Sequence, residues 1–110
     1  MNQQLPPSKG TTKLMDRLYC GPSVTVWREV LGVGEVLAWH YHSHVSDTFY
    51  VVRGPLRVTS RNPDDCVDID TGCLYQLAPG IHHQVSNVTD GDVEWILVQG
   101  VGDVDYHEVG

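Results

Sequence analysis

Apolar and polar residues alternate in short runs along most of the chain, and no long stretch shows the period of an amphipathic helix. A period of two is typical of β-strands with one buried face. The runs are rich in Val, Thr, Tyr and Trp, which suit a pleated surface. The pattern predicts these strands: 13–20, 24–31, 36–42, 48–52, 56–60, 67–69, 74–77, 83–88 and 93–99.

Turn-forming residues separate the runs at close intervals, for example Gly21-Pro22, Gly54-Pro55 and Pro79-Gly80. Regular strand and turn spacing of this kind favours an antiparallel sandwich or barrel. A chain of 110 residues is expected to form a single domain over 1–110. We expect residues 1–10 to be a flexible arm and 101–110 a polar tail, and either is able to add a strand to a partner subunit.

The charge balance narrows the classes of partner. Acidic residues number 14 and basic residues 7, for a formal net charge of −7. A nucleic-acid-binding or membrane-surface protein is therefore not expected, because both need clustered Lys and Arg. Neither a membrane-spanning run nor a secretory signal is apparent. The three cysteines Cys20, Cys66 and Cys73 form no CxxC pair, so we expect buried, reduced thiols in a cytoplasmic protein.

Five of the six histidines fall in two clusters, 40–44 and 82–83. Residues i and i+2 of a strand share a face, so His40 and His42 are predicted to project together into one interior. The adjacent His82 and His83 face opposite sides, and at most one of them joins such a site. Asp47 begins the next apolar run, and a hairpin would return its carboxylate to the first cluster. Three imidazoles and a carboxylate suit Fe, Mn, Ni, Cu or Zn.

These residues resemble the two motifs of the cupin superfamily. The first motif is matched by Gly34, the pair at 40 and 42, Asp47 and Gly54. The second is matched by Gly72, Pro79-Gly80, His83 and Asn87. The motif region spans 34–87, and the resemblance, to small single-domain cupins of the cupin_2 type, implies an all-β double-stranded β-helix, or jelly-roll, barrel. It also implies one divalent metal ion (Fe, Mn, Ni or Zn) on His40, His42, Asp47 and His83.

Asp47 departs from the Glu of the family motif, and Ala78 stands where the family has Pro. The aspartate reaches less far by about 1.3 Å, whereas metal–oxygen bonds tolerate only a few tenths. Three arrangements remain open: the backbone lies further in, Asp47 acts through water, or the site uses three histidines alone. We treat Asp47 as a direct ligand and expect His44 and His82 to lie outside the ligand set.

Further assignments follow from strand alternation. Val36 and Ala38 are expected on the face of His40, and Phe49 and Val51 on the face of Asp47, which gives the pocket an apolar floor. Asn87 is expected to stabilise a turn. Trp39, Tyr41 and Tyr50 are expected on the opposite face. Candidates for the pocket mouth are Arg28, Arg57, Tyr75, Gln76, Trp95 and Gln99.

The resemblance implies a metal-dependent enzyme acting on a small molecule, either a dioxygenase-like oxidoreductase or an isomerase or lyase. The alternative is a non-catalytic cupin that binds a small ligand, since function resides in the site and not in the fold. No catalytic residue is identified beyond the metal ligands. Small cupins usually pair and pairing covers sheet edges, so we expect a homodimer.

Overall fold

Ten β-strands and no helix make up residues 12–110, the part of the chain that the computed structural model describes. The strands are β1 (Leu14–Cys20), β2 (Val24–Leu31), β3 (Val36–Tyr41), β4 (Ser46–Arg53), β5 (Leu56–Ser60), β6 (Asp65–Ile69), β7 (Leu74–Leu77), β8 (His83–Ser86), β9 (Val93–Gly100) and β10 (His107–Glu108). All the strands expected from the sequence are present, and β10 is additional. The arm expected at 1–10 lies outside the described residues.

The strands form two antiparallel sheets that face each other, with orders β1-β2-β9-β4-β7 and β10-β3-β8-β5-β6. Sequence neighbours such as β3 and β4 lie in different sheets, so the chain winds between the two layers. This arrangement confirms the all-β jelly roll. Among residues 12–110 there is no helix long and apolar enough to cross a membrane.

The apolar core lies between the two sheets. Its largest members come from β2, β4 and β9, where Trp27, Phe49 and Trp95 are at most 2% exposed. Burying a side chain of this kind stabilises the fold by about 1.5–3 kcal/mol. Phe49 and Val51 face inward, as the alternation predicted. The opposite end of the same interior holds the polar residues described below.

A β-bulge in β3 overturns one expectation. Leu37 pairs with Val85 and His40 pairs with His83, so the two residues of β3 between these pairs oppose one residue of β8. The extra residue reverses the alternation, and Leu37 instead of Val36 and Ala38 lies on the pocket face. Simple period-two reasoning fails here because a bulge leaves no mark in the hydrophobic pattern.

The C-terminal tail does not project toward a partner subunit in this fold. Its strand β10 pairs with β3 of the same chain, matching His107 to Tyr41 and Glu108 to His40. The expectation of buried thiols was also wrong, because Cys20, Cys66 and Cys73 are all free and exposed. Cys20 and Cys66 lie on the edge strands β1 and β6, and Cys73 lies in a turn, where the barrel offers no interior to cover them.

Candidate metal centre

Three buried imidazoles meet at one end of the barrel interior. His40 lies on β3, His42 follows the end of that strand, and His83 begins the neighbouring β8. Their side chains are buried, and their candidate ligand nitrogens lie within 4.8 Å of one another. The i, i+2 spacing therefore does place His40 and His42 together, with ring centroids 5.1 Å apart.

Each imidazole is fixed through Nδ1 by a backbone carbonyl. Nδ1 of His40 lies 2.7 Å from the oxygen of Ala38, that of His42 lies 2.6 Å from the oxygen of Asp105, and that of His83 lies 2.8 Å from the oxygen of Ile81. A carbonyl only accepts, so Nδ1 carries the proton in all three rings. The neutral tautomer then presents an Nε2 lone pair, which is the form that binds a metal.

Asp47 on β4 reaches the histidines from the other sheet. Its Oδ2 lies 3.2 Å from Nε2 of His42 and 3.3 Å from Nε2 of His83. Ligand atoms at about 2.0–2.2 Å from a shared metal lie roughly 2.8–3.6 Å apart for octahedral or tetrahedral angles. Despite its shorter side chain, the carboxylate therefore lies at ligand–ligand spacing from two of the imidazoles.

The chemistry of this donor set fits a cation. Nε2 of His83 is buried and makes no hydrogen bond within the described residues, although it lies beside the Asp47 carboxylate. In the neutral tautomer this nitrogen and Oδ2 are both acceptors, and two facing acceptors repel. A divalent ion would satisfy both at once and would offset the cost of burying them. His40, His42 and His83 are the residues that would hold it, and the Asp47 carboxylate lies beside two of them.

Burial and charge set the protonation states of the metal-free cluster. Burial, reinforced by the charge of His83, lowers the pKa of His40 to about 3. Burial also lowers the pKa of His42, but Asp47 and Asp105 outweigh it and the net pKa is raised. For Asp47 burial raises the pKa, yet the neighbouring imidazoles of His42 and His83 hold it well below its usual range. The carboxylate is therefore ionised, and His42 holds an extra proton more readily than His40.

A second layer of polar contacts holds the carboxylate. Gln99 on β9 is 1% exposed, donates from Nε2 to Oδ1 of Asp47 at 3.1 Å, and accepts from Nε1 of Trp27 at 2.7 Å. Gln99 was expected at the pocket mouth and instead supports the centre from within. Its pairing with Asp47 across β9 and β4 fixes this geometry.

Glu29 is a residue that the sequence reasoning missed. It lies on β2, lines the same cavity, and is 3% exposed. Burial, with the charge of Asp47 adding to it, raises its pKa to about 8, and its buried Oε1 makes no hydrogen bond within the described residues. Strand alternation could have predicted this position, because Thr25, Trp27 and Glu29 share one face of β2 and that face is the inner one.

The turn before β8 ties His83 to the other ligands. Gly80 adopts φ +82°, a left-handed conformation that favours glycine. Its N–H donates to the carbonyl oxygen of His42 at 2.8 Å.

Asn87 donates to three carbonyls, those of Leu31, Gly32 and Gly91, which confirms its role in stabilising turns.

The remaining candidates lie away from the cavity. Arg28 pairs with Glu94 and Arg57 with Asp68 on the surface. His44 is exposed, and the ring of His82 stacks on Tyr41. Neither belongs to the cavity wall, in line with the expectation that both lie outside the ligand set.

Of the other mouth and outer-face candidates, Trp95 is fully buried in the core and Gln76 is exposed and donates to Thr48. Tyr75 is partly buried against the core. Trp39 carries the guanidinium of Arg61 over its ring at 3.7 Å. Tyr50 is exposed, as expected for the outer face of its sheet.

Comparison with solved structures shows the same fold at low sequence identity. A conserved double-stranded β-helix protein from Klebsiella pneumoniae is 19% identical with a TM-score of 0.77, and the match covers 96% of this chain and 90% of that one. An oxalate oxidase is 17% identical with a TM-score of 0.73, over 79% of this chain and 46% of that one. A deletion variant of oxalate decarboxylase from Bacillus subtilis is 13% identical with a TM-score of 0.73, over 80% and 24%.

At such identities these likenesses show the fold alone, and this chain spans less than half of either oxalate enzyme. No curated protein matches the sequence. The family model for the cupin domain, however, matches residues 27–99, well over half of the chain and including all four residues of the cluster. The chain belongs to the cupin family.

Proposed function

We propose that this cupin binds one divalent ion, Fe, Mn, Ni or Zn, through His40, His42, His83 and Asp47, and uses it to transform a small molecule. The observation that carries the proposal is the fixed tautomer of all three imidazoles, which turns each Nε2 toward a shared point beside an ionised carboxylate. Such preorganisation is what a metal site needs and is of no benefit to an apolar core.

The surroundings of the cluster suit chemistry on a small ligand. Phe49, Leu97 and Val85 give the cavity apolar walls, and Gln99 holds the carboxylate in place. In the metal-free protein Glu29 keeps a proton inside the same cavity, since burial raises its pKa to about 8. A bound ion would supply Lewis-acid or redox chemistry there. Together these features favour an enzyme of dioxygenase-like, isomerase or lyase type.

Solved structures with the same fold include an oxidase and a decarboxylase of oxalate, so this barrel supports catalysis in other proteins. The test is to load the protein with Fe²⁺ or Zn²⁺ and offer small carboxylic, keto and phenolic compounds with and without air. Turnover only with iron and air supports a dioxygenase, and turnover with zinc without air supports an isomerase or lyase. Binding of a compound with no turnover under any condition would contradict the enzyme and leave a ligand-binding cupin.

We also propose that the chain forms a homodimer through the outer face of the β4–β7 edge. Tyr50 and Leu74 pair directly across these strands, and they are 42% and 67% exposed. Val52, 41% exposed, extends the patch. A second copy would cover this apolar surface and the edge of β7, which has no further strand beside it among residues 12–110. Sedimentation velocity at micromolar concentration should give a dimer that Leu74→Glu converts to monomer, and a monomeric wild type would contradict the proposal.

We also propose that the protein is located in the cytoplasm. Cys20, Cys66 and Cys73 are free and exposed, and unpaired surface thiols persist best in a reducing compartment. Fractionation of cells that produce the protein natively should place it with cytoplasmic markers, and recovery in a secreted fraction would contradict this.

A further inference from the structure

The last ten residues return to the candidate metal centre, although they lie outside the family match at residues 27–99. Strand β10 pairs with β3, the strand that carries His40. The segment is also fastened on each side: the N–H of Gly102 donates to the oxygen of Ser23 at 2.9 Å, and the N–H of Val109 donates to the oxygen of Trp39 at 2.9 Å. Residues 101–110, which we call the clasp, are thus tied across the end of the barrel.

Two residues of the clasp contact the imidazoles directly. The ring of Tyr106 stacks on that of His40, with centroids 4.8 Å apart and planes inclined by 21°. The backbone oxygen of Asp105 fixes Nδ1 of His42 at 2.6 Å, while its carboxylate accepts from the N–H of Ser43 at 2.7 Å. Two of the three histidines are therefore positioned by the clasp.

Tyr106 also forms a wall of the cavity that holds the cluster. The cavity has a volume of about 30 Å³. A single water needs roughly 10–15 Å³ by the same measure, so the cavity has room for about two waters. With an ion bound, the space beside it would suit small ligands better than bulky ones.

We propose that Tyr106 is a specificity-determining residue that limits access to the metal to small oxygen or nitrogen donors, such as a simple anion, and that the clasp holds it in that position. The inference rests on the proposed metal site and extends it to the size of the ligand. Shortening this side chain would open the space over His40 without removing a ligand atom. Bulky chelating ligands would then reach the ion.

The experiment uses the full chain loaded with Co²⁺, whose visible absorption reports its ligands. Azide serves as the small probe and 8-hydroxyquinoline-5-sulfonate as the bulky one, each titrated into wild type, Tyr106→Ala and Tyr106→Phe. We expect Tyr106→Ala to tighten the bulky probe by about tenfold or more relative to azide, because selectivity is a difference of affinities set by pocket shape. Tyr106→Phe should resemble wild type, since the ring and not the hydroxyl closes the cavity.

The matched control is Tyr19→Ala, a tyrosine 57% exposed on β1, which should leave both affinities unchanged. Tyr106→Leu is the second variant, to be read in the same way if Tyr106→Ala does not fold. An unchanged ratio of the two affinities in a folded Tyr106→Ala or Tyr106→Leu protein would overturn this inference alone. Failure of the wild type to bind Co²⁺ at all would overturn the metal site and this inference with it.

Discussion

The side-chain amide of Gln99 donates to Oδ1 of Asp47 at 3.1 Å and so decides which carboxylate oxygen faces the histidines. The amide cannot flip without losing the 2.7 Å hydrogen bond that its oxygen accepts from Nε1 of Trp27. Oδ1 is therefore engaged, and Oδ2 is the oxygen that lies near His42 and His83. Gln99 acts on the centre as a positioning residue.

Replacing this amide should weaken the centre without removing a ligand. Gln99→Met keeps a similar shape but lacks the donor, and we expect the affinity for Zn²⁺ to fall about 10- to 100-fold, as for other residues that orient metal ligands. Competition with a chromophoric chelator measures the change. Gln76→Met, at an exposed glutamine, is the control and should have wild-type affinity. An unchanged affinity in Gln99→Met would show that Asp47 needs no orientation.

Substitutions of Asp47 test whether its carboxylate binds the metal directly or only supports the ligands. If Oδ2 binds the ion, Asp47→Ala should lower metal affinity by more than the roughly 10- to 100-fold that a supporting residue contributes. Asp47→Glu should retain the metal, because it restores the reach of the family's usual ligand. The metal content of each variant after dialysis provides the comparison. A full complement in Asp47→Ala would establish a three-histidine site and leave more positions open for substrate and O₂.

Metal binding should depend on pH through His42. The pKa of His42 is raised, since Asp47 and Asp105 outweigh its burial, and Nδ1 is already bonded, so the extra proton lies on Nε2. The ion must displace that proton. Below the pKa of His42, affinity should fall by about tenfold per pH unit, and above it affinity should level off. Zn²⁺ titrations between about pH 5 and pH 8 check this over the range where imidazoles titrate. His44→Ala, at an exposed histidine, should show the same profile, whereas a flat wild-type profile would argue against a protonated His42.

The raised pKa of Glu29 predicts that the metal-free protein loses stability as the pH rises. Its pKa rises from 4.5 to about 8 on folding, through burial and then the charge of Asp47. Between these values the folded state retains a proton that the unfolded state has lost, so stability is greatest below the lower value and falls as pH rises. The slope approaches about 1.4 kcal/mol per pH unit.

Glu29→Gln should remove that slope, and urea denaturation at several pH values would show it. Asp90→Asn, at an exposed loop carboxyl, is the control and should keep the wild-type slope. If wild type and Glu29→Gln lost stability in parallel as the pH rose, the buried glutamate would have to be ionised in the folded state.

The parts of the fold that follow from local sequence were predicted well. Period-two runs located the strands, and the spacing of His40, His42 and His83 located the centre, because strand alternation and turn position are local properties. The bulge before His40 was not predictable, since one extra residue in a ladder depends on the partner strand. The position of Tyr106 was missed for a related reason: its contact with His40 joins residues 66 positions apart in sequence through pairing that no local pattern encodes.

The most direct test of the central claim is the metal content of protein purified without an affinity tag. Elemental analysis of the wild type should find about one divalent ion per chain, because four preorganised donors make a stable site. The double variant His40→Ala and His42→Ala, shown to be folded by circular dichroism, should have lost nearly all of it, while His44→Ala should keep it. Stoichiometric metal in the double variant, or a wild type that neither contains nor takes up a divalent ion, would contradict the account.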